Sequence, residues 1–90
     1  MKCTVAERAY HFDQQFVVRG FIKDMDFDEF ALSTETSFND PTYKQESIGP
    51  GKTGPRFEVP VNSPRLSRPA VVILEMFRQC HLRLITVWSK

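Results

Sequence analysis

Residues 70–88 carry the densest apolar pattern in the chain, Ala70-Val-Val-Ile-Leu-Glu-Met-Phe-Arg-Gln-Cys-His81 followed by Leu82-Arg-Leu-Ile-Thr-Val-Trp88. Ala70, Ile73, Leu74 and Phe77 fall at i, i+3, i+4, i+7, the spacing of a helix stripe. Ser67 suits an N-cap and Pro69 a first helical turn, so this spacing predicts a helix from about residue 69 to 81. Leu74 and Phe77 are its expected core residues. From Leu82 the period changes to two, with Leu82, Leu84, Thr86 and Trp88 on one side, which predicts a terminal strand.

The rest of the chain is read the same way. Cys3 and Val5, or Tyr10 and Phe12, alternate as in a short first strand. Gln15–Lys23 places Phe16, Val18, Gly20 and Ile22 on one face and Val17, Arg19 and Phe21 on the other, as in a central strand with a bulge at Gly20. Asp26 and Glu29 are spaced as a capping box, with Phe27, Phe30 and Ala31 on one face of a short helix; a turn followed by a strand is the alternative, and Thr34–Phe38 shows no clear period. All six prolines lie between Pro41 and Pro69, and Gly49, Gly51 and Gly54 cluster there too. Ile48–Pro55 therefore reads as a loop, at about residues 48–56, between two arms, Thr42–Ile48 and Arg56–Val61. Phe57, Val59 and Val61 give the second arm one buried face, and Pro60 makes it an edge. The expected architecture is one α+β domain, residues 1–90. It has a small, mostly antiparallel sheet of three or four strands, one main C-terminal helix packed on a face, and a final strand.

Ninety residues with 41% hydrophobic positions allow one core and argue against wholesale disorder. No run reaches the length of a membrane span, and Met1–Arg8 lacks the apolar stretch of a signal peptide. Cys3 and Cys80 are too few and too distant for a disulfide scaffold or a zinc pattern. The expectation is a reduced, cytoplasmic protein with two separate thiols and no membrane partner. Net charge is +1, but it is uneven: residues 1–40 hold eight acidic and four basic side chains, and residues 41–90 three acidic and eight basic.

Candidate chemistry is sparse. Gly51-Lys52-Thr53 resembles the end of a phosphate-binding loop, but Glu46 stands where a glycine is needed and Gly54-Pro55 follows in place of a helix. Asp24, Asp26 and Asp28 with Glu35 match positions one, three, five and twelve of a calcium loop, yet Glu29 takes the obligatory glycine position and Leu32 a ligand position. No metal or cofactor is expected. His11 and Cys80-His81 form no local nucleophile and base, which points away from an enzyme. Two surfaces remain. An acidic one, Asp24, Asp26, Phe27, Asp28 and Glu29, suits a protein partner, with Phe21, Phe38 or Tyr43 as further anchors. A basic one, Lys52, Arg56, Arg65 and Arg68, would suit nucleic acid. The first makes the chain a small non-enzymatic interaction module of accessory or inhibitor type, of the kind carried by phages and mobile elements, and the second a nucleic-acid-binding domain. A homodimer through the Phe57–Val61 edge is a third form of partnership.

Overall fold

In a computed structural model, which describes residues 3–12, 27–62 and 69–89, the chain forms a five-stranded mixed sheet with one long helix. A 3-10 turn at Val5–Glu7 leads into β1 (Ala9–His11). Helix α1 (Phe27–Phe38), β2 (Gly49–Pro50), β3 (Pro55–Val61), β4 (Ala70–Arg78) and β5 (His81–Ser89) follow. The strand order is β1-β5-β4-β3-β2, with β1 parallel to β5 and every other pair antiparallel.

This arrangement corrects the expected C-terminal helix: residues 70–78 are the central strand, and the long helix lies before the sheet strands β2–β5. Val71, Val72 and Ile73 are three β-branched residues in succession, which favour a strand. A surface helix would bury one stripe, whereas Ala70 through Glu75 are all buried, alternating between the two faces of the sheet. The helix-like spacing of Ala70, Ile73 and Leu74 is a subset of an unbroken apolar run, which satisfies either period. β4 then reverses into β5 through Gln79 and Cys80 alone, with Arg78 opposite His81. Cys80 takes the left-handed position of that reversal at φ 64°, a place more often given to glycine.

One face of the sheet carries the core. Phe57, Val59 and Val61 of β3 lie opposite Leu74, Val72 and Ala70 of β4, and Leu82 and Leu84 of β5 continue the layer. Phe30, Thr34 and Phe38 of α1, four residues apart, are buried against this layer. The buried Thr34 hydroxyl donates to the Phe30 carbonyl at 3.0 Å, so it is not stranded in the core. The helix is longer than its first-turn pattern suggests, because Thr34 occupies the middle of its inner stripe. Pro41 and an Asp40 side chain that accepts from Thr42 N–H at 2.8 Å end it. The expected Thr42–Ile48 arm is not a strand: β2 pairs only with Pro55 and Arg56, extended by Ile48 N–H to the Arg56 carbonyl at 2.8 Å. The strand expected at Gln15–Lys23, its Gly20 bulge and Asp26 of the capping box lie outside the described residues.

The two cysteines are not separate thiols. Cys3 and Cys80 form a disulfide across a sequence separation of 77, with Cα atoms 5.7 Å apart. It fastens the N-terminal segment to the β4–β5 reversal beside the Ala9 N–H bond to the Cys80 carbonyl at 2.8 Å. Arg8 completes the fastening. It donates to the Asn39 side chain, to the Cys3 carbonyl at 3.2 Å and to Gln45 Oε1 at 3.1 Å, with its guanidinium 5.4 Å from the centre of the Phe38 ring.

Candidate functional site

The chemically richest region is the end of the sheet where β4 turns into β5. On the face away from α1, Glu75 is wholly buried in the middle of β4. Its register partners are Arg56 on β3 and Arg83 on β5, which places a guanidinium on either side. Arg56 Nε donates to Oε1 at 2.8 Å and Arg83 Nη2 to Oε2 at 2.9 Å. The loop between β2 and β3 closes the remaining side: Lys52 N–H donates to Oε1 at 3.1 Å and the Thr53 hydroxyl to Oε2 at 2.7 Å. The hydrogen bonds from Arg56 and Thr53 outweigh burial and hold the Glu75 carboxyl well below its ordinary value, at about 2. Gly51 permits this approach, since a Cβ there would sit 1.6 Å from Oε1. The Gly51-Lys52-Thr53 loop thus does hold an oxyanion, and that oxyanion is the chain's own carboxylate.

Beyond Arg83 on the same face, β1 and β5 bring together the two histidines of the chain. His11 Nε2 lies 3.0 Å from His81 Nδ1. The Phe77 ring meets both, at centroid distances of 5.1 and 5.9 Å, and the Arg83 guanidinium lies 5.6 Å from the centre of that ring. Phe77 is an extra residue in β4, where the register with β5 shifts between Met76 and Arg78. It is half-buried rather than a core side chain. Cys3, His11 and the adjacent Cys80 and His81, which form no local site in the sequence, therefore converge as a disulfide and a histidine pair.

On the α1 side of the same end, a hollow of about 440 Å³ with a mainly apolar lining opens between the 45–47 segment and strands β3 and β4. Cys3, Gln45, Ser47, Pro55, Phe57, Met76 and Gln79 line it. Gln45 is held by its bond to the Phe38 carbonyl at 2.8 Å, and Ser47 by mutual bonds with Gly49. The hollow is therefore framed by secured residues, with the flexible thioether of Met76 available to adapt to what enters.

The residues expected from sequence fall as follows. Asp28 is exposed and Glu29 half-buried on the first turn of α1, where carboxylates complement the helix dipole. Phe27 opens that helix, and its side chain, like Asp24 and Asp26, lies outside the described residues. Lys52 is exposed, and Arg56 is half-buried against Glu75. Arg65 and Arg68 lie outside the described residues. Phe38 is buried in the core, and Tyr43 is half-buried with its hydroxyl donating to the Glu58 carbonyl at 2.5 Å. Sequence reasoning missed Glu75 and the histidine pair, and it read Arg83 as an extension of the basic strip rather than as a partner of Glu75. The available signal was Glu75 itself, a lone carboxylate inside an apolar run, which needs partners wherever it is buried. No group of three or more metal-ligating side chains occurs among the described residues, and no helix among them is long and apolar enough to cross a membrane. No family model, curated protein or solved structure matches this chain.

Proposed function

We propose that this chain is a non-enzymatic protein-interaction module that receives an apolar side chain of a protein partner in the hollow beside the disulfide. The observation that carries the reading is the hollow itself: an open, mainly apolar recess framed by tethered residues at a covalently stapled end of the sheet. Partners anchor on such recesses by inserting one large side chain, while surrounding polar contacts exclude water. Asp28 and Glu29 stand on a different element and would supply a second, acidic contact to a basic partner. The nucleic-acid reading is weakened by Arg56, whose guanidinium already answers Glu75. Edge-to-edge dimerisation is opposed by Pro60, which has no N–H to offer, and by Tyr43, which occupies the Glu58 carbonyl. As for compartment, a disulfide persists where conditions are oxidising, so the proposal places the chain there rather than in the cytoplasm.

The test is selection of peptides from a random display library against the oxidised chain. Selected peptides should share a large apolar residue and lose at least tenfold in affinity on Ser47→Trp, which fills the hollow. They should bind Thr86→Trp, on the opposite face, unchanged. Peptides indifferent to Ser47→Trp but lost on Asp26→Lys with Asp28→Lys would move the binding surface to the acidic segment. Oligonucleotide binding that falls linearly in log salt would replace the reading by the nucleic-acid one.

A further inference from the structure

We propose that His11 and His81 form a bidentate binding site for a divalent transition-metal ion of the copper or nickel kind. Two imidazole nitrogens 3.0 Å apart require that one carries a proton and donates it, because two facing lone pairs repel. A metal ion can take the place of that proton. Nitrogens bound to one ion at about 2.0–2.1 Å and at right angles to each other lie roughly 2.9 Å apart, whereas tetrahedral ligands lie roughly 3.3 Å apart. The observed separation matches the right-angled pair, the arrangement of square-planar and tetragonal sites. The ring planes are inclined by 27°, and chelation requires the rings to turn until both lone pairs point at one ion.

The backbone beneath the pair is secured. Parallel pairing sets Ala9 against His81 and His11 against Arg83, and the disulfide at Cys80 is the immediate neighbour of His81. Phe77 packs on both rings and limits their other rotations. Arg83, the register partner of His11, is ion-paired with Glu75 at 2.9 Å, which moderates its repulsion of a bound ion. His11 is exposed, leaving the other coordination positions to water or to a donor from elsewhere. This site lies on the opposite face from the hollow and stands independently of the protein-binding reading.

The experiment is a titration of the oxidised chain, residues 1–90, with Cu²⁺, and separately Ni²⁺, followed by calorimetry and by proton NMR of the imidazole C–H signals. The chain has only two histidines, so both are followed without ambiguity. One ion should bind per histidine pair, both imidazoles should broaden together at substoichiometric Cu²⁺, and His11→Ala or His81→Ala should each weaken binding at least tenfold. The double variant gives the background from amine and carboxylate groups, and His11→Gln, which keeps a hydrogen-bonding side chain, guards against loss of folding. Broadening of one histidine alone, or single variants that bind like the wild type, would overturn the proposal.

Discussion

Glu75 shows how a single carboxylate can organise a loop. It meets four donors from three segments, Lys52 and Thr53, Arg56, and Arg83. Its removal would leave two guanidiniums, a backbone N–H and the Thr53 hydroxyl without this acceptor. Glu75→Ala is expected to cost about 2–4 kcal/mol, below the cost of fully buried pairs because both arginines retain access to water. Chemical denaturation of the two proteins measures it. Glu75→Met should recover part of that loss, since an apolar residue of similar size removes the buried charge together with its partners' obligation. The acid response follows from the sign of the shift. The folded carboxyl sits at about 2 against an ordinary 4.5, so its contribution is complete above about pH 4.5 and disappears as pH falls toward 2. Urea midpoints measured across that window should drop in the wild type and drop less in Glu75→Gln. Tyr43 acts in the opposite direction. Burial and the nearby Glu58 raise its hydroxyl to about 12 from 10, so its contribution is present below pH 10 and is lost as pH rises toward 12.

Among the elements, β4 and α1 separate what the sequence reveals from what it hides. Leu74→Ala should cost about 2–5 kcal/mol, the cost of a cavity in the core, while Phe77→Ala should cost only about 1 kcal/mol because Phe77 is half-exposed over the histidines. Thermal or urea unfolding of the pair distinguishes the strand from the expected helix, in which both would be equally buried. β3 was legible: Phe57, Val59 and Val61 alternate because the described face opposite them is exposed at Glu58 and Pro60. β4 was not, because a strand buried on both faces loses its alternation and its apolar run fits any period. α1 was legible in its first turn and hidden after it, since Thr34 breaks the apolar stripe of Phe30 and Phe38. The disulfide and the histidine pair left no local trace. They depend on β1 returning alongside β5, a long-range pairing that spacing along the chain does not encode.

For the whole molecule, the Cys3–Cys80 bond is the main constraint on the unfolded chain. Closing a loop of this span corresponds to roughly 4.5 kcal/mol in the chain-entropy description. Paired denaturation curves with and without reductant should differ by about 2–4 kcal/mol, the usual yield of such bonds. The same bond has a topological consequence. Between residues 3 and 80 the backbone and the sulfur bridge form one closed ring. One proteolytic cut in the exposed 40–48 stretch opens that ring without dividing the molecule, so the nicked protein should migrate as one species on a non-reducing denaturing gel and as two fragments after thiol treatment.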